Sequence, residues 1–251
     1  MARVSELFRH PVKAHGCEAL TQVTLAAGKT FPWDRVWAVA HEAARIDPDS
    51  TDWAPCANFS RAAKAPALMP IRARVDEAAG LVRLSHPQLG SVSGNPDLPE
   101  DAAKLIAWAS PLMPKGRAQS AFVVKATDRG MTDSAFPSIS INSRDTLAAL
   151  SAAAGTDISP LRFRANIWVE GLASWQEFDW IGRTIRIGAA ELAVRERIGR
   201  CLATAANPET GARDLDTLGL LRQACGTQDF GVYAEVVNGG DVRIGDKVEM
   251  I

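Results

Sequence analysis

Apolar residues fall mostly in short runs of strand length, broken by Gly, Pro, Asn and Asp, and helical spacing is confined to a few stretches. Residues 4–8 read as a short strand leading into His10-Pro11-Val12-Lys13. Residues 34–40 place Val36, Trp37 and Val39 in a run suited to a largely buried strand. Residues 69–75 and 81–84 flank a turn at 76–80 as a hairpin. Residues 91–99, rich in Ser, Gly, Asn and Pro, read as a loop, and 100–109 as a helix. A Pro-rich break at 110–117 follows. In the second half, 138–142 and 166–169 are strand-like, and 143–154 is an Ala-rich helix with a Ser/Asp cap and Leu147 and Leu150 on one side. Residues 184–194 form two strand-like runs split by Gly188-Ala189-Ala190, and 213–225 have helical spacing. Strand signals at 230–237 and 247–251 close the chain. The pattern predicts a mostly β protein with short helices, of α+β class. It divides into a β-rich N-terminal unit, 1–90, and a second unit, 91–251.

Composition narrows function more than fold. With 47% hydrophobic residues in a chain of 251 there is enough apolar material for a full core, and nothing points to disorder. The 28 Lys and Arg meet 29 Asp and Glu, for a net charge of -1. That balance argues against a general nucleic-acid or anionic-membrane binder, yet leaves room for a local basic pocket around a small anion. Residues 1–10 show neither the apolar stretch nor the cleavage site of a signal peptide. No apolar run approaches the ~20 residues of a spanning helix. The expectation is a cytoplasmic protein with no nucleic-acid and no membrane partner. Cys17, Cys56, Cys201 and Cys225 are too sparse for a disulfide scaffold and form no C-x-x-C pair, so reduced thiols are expected.

There is no phosphate loop, no G-x-G-x-x-G after a strand and no G-x-S-x-G elbow. The four histidines, His10, His15, His41 and His86, all lie in the first part of the chain, which disfavours a His-rich metal site spread over it. The most pointed local feature is Arg195-Glu196-Arg197-Ile198-Gly199-Arg200-Cys201. Neighbouring cations favour the thiolate, which is the nucleophile and the metal ligand. With an unbroken strand period, Arg195, Arg197 and Cys201 share one face. The plainer alternative is a half-buried cysteine beside solvated arginines. In Leu161-Arg162-Phe163-Arg164-Ala165-Asn166 two arginines flank an aromatic, and guanidinium forks suit phosphate. Lys13 and Arg35 add two more cationic spots. Each alone reads as a solvated charge; together they offer one anionic ligand a shared pocket.

Taken in order, these segments resemble the MOSC family, the molybdenum-cofactor sulfurase C-terminal domain, with its N-terminal β-barrel domain. Within it the architecture is similar to the mitochondrial amidoxime-reducing component group and its bacterial counterparts. His10-Pro11-Val12-Lys13 is similar to the family's Y-P-V-K, and Asp34-Arg35-Val36-Trp37 to its D-R-x-W. Phe136-Pro137 with 139–142 resembles Y-P-L-L-L-I-N, and Phe163-Arg164-Ala165-Asn166 stands where the family has F-R-P-N. Gly199-Arg200-Cys201 and Asn207-Pro208-Glu209-Thr210-Gly211 resemble S-R-C and D-P-x-T-G. Phe230-Gly231-Val232-Tyr233 and Ile244-Gly245-Asp246-Lys247-Val248 match F-G-x-Y and V-G-D-x-V.

The resemblance implies a MOSC β-barrel packed with a smaller N-terminal β-barrel-like domain, and a molybdenum cofactor (molybdopterin) held between them. By position Cys201 is then the catalytic thiolate bound to molybdenum. Lys13, Arg35, Arg164, Asn166 and Arg200 form the cofactor-binding set. The implied activity is an oxidoreductase that takes oxygen from N-hydroxylated small molecules with electrons from a separate donor protein. The alternative is a non-enzymatic carrier of the cofactor or of sulfur on Cys201. Ile198, Gly199, Ala14, Ala165 and Asn207 depart from the family pattern, which bears on substrate preference.

Overall fold

The computed structural model describes residues 1–251. The chain is mostly sheet, with three α-helices. Its centre is a curled eight-stranded sheet. From edge to edge the strands run Val248–Met250, Thr184–Ile187, Ala190–Gly199, Asp229–Asn238, Ile139–Ser143, Ile167–Glu170, Arg3–Arg9 and Glu18–Leu20. Neighbours are antiparallel except Ile139–Ser143 and Ile167–Glu170, which run parallel. That parallel pair needs a crossover, supplied by the helix Arg144–Ala154. Ser143 caps this helix by accepting the Thr146 N–H at 3.2 Å, and Gly155 ends it in the left-handed region at φ 66°.

Alternation decides which face each strand buries. Ala190, Leu192 and Val194 point into the main core with Ile139, Ile141, Ile167, Val232 and Ala234. Ile139–Ser143 is buried on both faces, because the helix side carries a second core of Leu147, Leu150, Trp168, Leu221 and Phe230. Phe163 stacks on Phe230 with ring centroids 4.1 Å apart, and Trp168 packs against both rings.

The N-terminal unit combines two three-stranded sheets. One orders Val12–Lys13, Trp37–His41 and Ser120–Lys125; the other is a meander of Arg72–Asp76, Leu81–His86 and Gly90–Gly94. Trp37, Leu68, Ile71, Val82, Leu84, Val92 and, from the helix Pro99–Ala109, Leu105 form its core. A two-stranded sheet of Gln22–Leu25 and Gly240–Arg243 ties the opening of the chain to its end. No helix is long and apolar enough to cross a membrane.

Three expectations need correction. Residues 91–94 are not loop but the third strand of the meander, where Val92 is buried and Ser93 pairs with Arg83. Small residues there hid the period. Residues 34–36 are not strand; Arg35 turns the chain at φ 55° before Trp37 enters the sheet. The break at 90/91 also falls too early. The helix Pro99–Ala109 packs with the first unit and Ser120–Lys125 pairs with Trp37–His41, whereas Arg3–Arg9 belongs to the large sheet.

Gly231 stands at φ 78°, and a Cβ there would collide with Asn142 Oδ1 and lie 2.6 Å from Ile141 O. Strain and collision act together against a side chain at this position. Gly231→Ala should cost about 2 kcal/mol or more of stability, read as a lower urea midpoint; an unchanged midpoint contradicts this packing.

Candidate functional site

Four chain segments end at one cavity between the two units. They are the turn after Val12–Lys13, the loop before Trp37, the turn after the short 3-10 helix Pro160–Phe163, and the end of the strand Ala190–Gly199. At three of these turns a non-glycine residue sits in the left-handed region: Ala14 at φ 63°, Arg35 at 55° and Arg164 at 49°. Each costs of order 1–3 kcal/mol and persists only where the surroundings over-determine it. At Arg35 they do. Its N–H donates to His10 O at 2.7 Å, its carbonyl accepts from Met131 N at 2.8 Å, and Gly130 leaves no room for a Cβ against Asp34 O.

The cavity, of about 140 Å³, is lined by Lys13, Arg35, Arg164, Arg200, Asp133 and Tyr233, with the exposed Cys201 at its edge. Lys13 Nζ donates to Met131 O at 2.5 Å and to Asp133 Oδ1 at 2.6 Å. Asp34, fully buried behind the site, accepts from His10 N at 2.6 Å and pairs with the Arg35 guanidinium. Arg35 Nη2 donates to Arg164 O, and Arg164 Nη2 to Gly16 O, both at 3.0 Å. Arg164 donates in no other side-chain bond, so its remaining N–H groups are open to a ligand. Arg200 is spent differently. Its donors reach Phe230 O, Phe163 O and Asn142 Oδ1 at 2.8 Å each, and its plane lies over Phe163 and Phe230.

Burial and like charge work against these cations. Burial, then Arg35, pulls Arg164 down to about 10, and burial pulls Arg200 down to about 10. Burial also lowers Lys13, with Asp133 opposing. The arginines still carry charge at neutral pH. Burial would raise Asp133, but Lys13, Arg35 and Arg61 hold it below the usual carboxylate range. His10, lowered to about 3 by burial and by Arg164 and Arg35, stays neutral, as does His15 at about 4. Burial and Asp133 push Tyr233 up to about 12, so its phenol keeps the proton. The cavity therefore presents positive charge, one neutral phenol and the exposed thiol of Cys201, with the half-buried Cys56 also in its lining.

Lys13, Arg35, Arg164, Arg200 and Cys201 thus come together from distant parts of the chain. Asn166 does not join them. Its Oδ1 accepts from Ser140 N and Oγ at 3.1 and 2.8 Å and its Nδ2 donates to Phe8 O at 3.3 Å, so the amide fastens three strands instead of facing the cavity. Arg195 and Arg197 are also elsewhere. Irregular register between Val194 and Glu196 and between Arg197 and Gly199 breaks the strand period. Arg195 pairs with Glu235 at 2.8 Å, and Arg197 lies 4.3 Å over the Phe178 ring. Asp133, Arg61 and Cys56 went unnoticed in the sequence. Asp133 sits in a stretch without pattern, and Cys56 looked incidental, yet it lines the cavity with Arg61 Nη1 donating to its Sγ at 3.2 Å. A wider surface depression, about 770 Å³ along Arg144 to Pro160, holds no cysteine or histidine.

Residues 1–131 match the family model described as MOSC N-terminal beta barrel domain, and residues 130–249 match the MOSC domain. Mitochondrial amidoxime-reducing component 1 of Mus musculus is 26% identical over 162 residues, 60% of this chain and 47% of that protein. The Xenopus laevis protein of the same name is 31% identical over 122 residues, 44% of this chain and 35% of that protein. The chain thus matches less than half the length of either relative. The crystal structure of the YUAD protein from Bacillus subtilis aligns with 99% of this chain and 94% of that one, at 14% identity and a TM-score of 0.47.

The buried histidines carry a consequence for stability. Below their ordinary value of 6.5 the unfolded chain takes up protons that native His10 and His15 refuse. The unfolded state then binds more protons, so stability falls as pH drops from about 6.5 towards about 4. Each such group contributes a slope of about 1.4 kcal/mol per pH unit. Urea unfolding should give a lower midpoint at about pH 5 than at about pH 7, and His15→Asn should flatten the difference. A midpoint independent of pH contradicts the neutral, buried assignment.

Proposed function

The chain belongs to the MOSC family and carries its N-terminal beta barrel domain, and from that premise we propose that it is a molybdenum-cofactor-binding oxidoreductase acting on N-hydroxylated small molecules. The observation that carries the reading is the convergence of Lys13, Arg35 and Arg164, with unspent donors on Arg164, beside the exposed thiol of Cys201. The MOSC family is associated with molybdenum-cofactor binding. The residues fit such a group. Guanidinium forks and a buried ammonium suit a phosphate. No group of three or more His, Cys, Asp or Glu side chains is placed to hold a metal ion, and the exposed soft ligand at the cavity is Cys201. A lone thiolate suits a metal whose other sulfur ligands come with its cofactor.

Bound there, the cofactor supplies the two-electron chemistry that turns N–OH, two electrons and two protons into N–H and water. The chain's own residues bind and orient. Lys13, Arg35 and Arg164 take the anionic end, Arg200 braces the strand end that carries Cys201, and Tyr233 offers a donor that keeps its proton. The names of the amidoxime-reducing relatives support the N-hydroxylated substrate class. Electrons come from a separate donor protein on this reading.

Cys201→Ser in cofactor-loaded protein should reduce turnover of an amidoxime, with a chemical reductant, by more than the ~10–100-fold typical of an outer-shell change. Undiminished turnover sinks the mechanism. Persulfide on wild-type Cys201 without molybdenum points instead to a sulfur carrier.

A further inference from the structure

A second cavity adjoins the first and shares Arg61 with it. Its volume is about 200 Å³, and its charged lining consists of Arg61, Lys64 and Arg117, with His41 beside them. No acidic residue lines it. Glu42, next to His41 in the chain, is not in the lining, and its carboxylate accepts the Gln119 N–H at 3.3 Å. None of the three cations, the half-buried Arg61 and the exposed Lys64 and Arg117, forms a salt bridge, although the chain as a whole is nearly neutral. Arg61 gives one N–H to Cys56 Sγ, and its other donors have no protein acceptor. His41 donates through Nε2 to Ala57 O at 2.8 Å, which leaves Nδ1 buried and without a partner. Phe59, Met113 and Pro114 add apolar lining.

Three unpaired cations around a cavity repel one another, and an unpartnered buried ring nitrogen adds a further cost. One anion relieves the repulsion among the cations, since it accepts from the guanidinium forks and the ammonium together. We propose that this cavity is a binding site for a phosphate or carboxylate group carried by a small molecule with an apolar or aromatic body. Because Arg61 lines both cavities, the site lies beside the Cys201 cavity. If that cavity is the reaction centre, as the preceding reading holds, the anionic group is the handle by which a substrate is held. The binding site itself does not depend on that reading.

The test is calorimetric titration of the purified chain with phenyl phosphate and, separately, with benzoate. Both probes carry a ring and one anionic group, and the tighter one identifies the group. The double variant Lys64→Ala/Arg117→Ala changes two exposed side chains that bond to nothing in the fold. It should weaken the tighter probe about tenfold or more for each lost charge-assisted contact. Cys201→Ser should leave that affinity unchanged, so failure of the redox reading cannot be mistaken for failure of the anion site. Binding unaltered in the double variant, or no saturable binding of either probe to the wild type, overturns the proposal.

Discussion

The structure depends on keeping like charges together out of bulk water. Lys13, Arg35, Arg164 and Arg200 come from four segments and line one cavity, where burial and mutual repulsion pull Arg164 and Arg200 down to about 10. Only fixed acceptors make this tolerable. Asp34 lies beneath Arg35, Asp133 beside Lys13, and backbone carbonyls of Gly16, Phe163, Phe230 and Met131 take the rest. Gly16 and Met131 lie in loops, Phe163 ends a 3-10 helix and Phe230 stands near the start of its strand. The cluster is therefore assembled in folding: its charges are gathered and held before any ligand arrives.

The cross-connections of the fold follow from this demand. Arg3–Arg9 leaves the N-terminal unit to pair with Ile167–Glu170, which brings His10 and Lys13 next to Arg164. Asn166 locks that junction by bonding Ser140 and Phe8 at once. Gly231 lets Asp229–Asn238 approach Asn142 closely, and Asn142 in turn accepts from Arg200. Asn166, read at first as a cofactor contact, instead helps hold the segments around the cavity in register.

Much of the fold was legible because burial leaves a periodic trace. The helix Arg144–Ala154 with its Ser143 cap and the hairpin of Thr184–Ile187 with Ala190–Gly199 stand where spacing placed them. What escaped was information that no local window carries. Gly90–Gly94 has too few apolar residues to alternate, and Ser120–Lys125 gave no distinct signal. Of the two partners of Arg3–Arg9, Ile167–Glu170 lies more than a hundred residues away. The site behaves similarly. Cys201 and the cations stood out by residue type and by order along the chain. Asp133, Cys56 and Arg61 reach the cavity only through tertiary packing, and bulges in Ala190–Gly199 turned Arg195 and Arg197 away against the simple strand period.

The claim that the cation cluster holds an anionic molybdenum cofactor is tested most directly by metal content. Protein made in a host that synthesises the cofactor should carry about one molybdenum per chain, since Cys201 is the one exposed cysteine. Lys13→Ala/Arg164→Ala should lose most of it while keeping its circular dichroism. Full molybdenum in that double variant, or none in the wild type, contradicts the account.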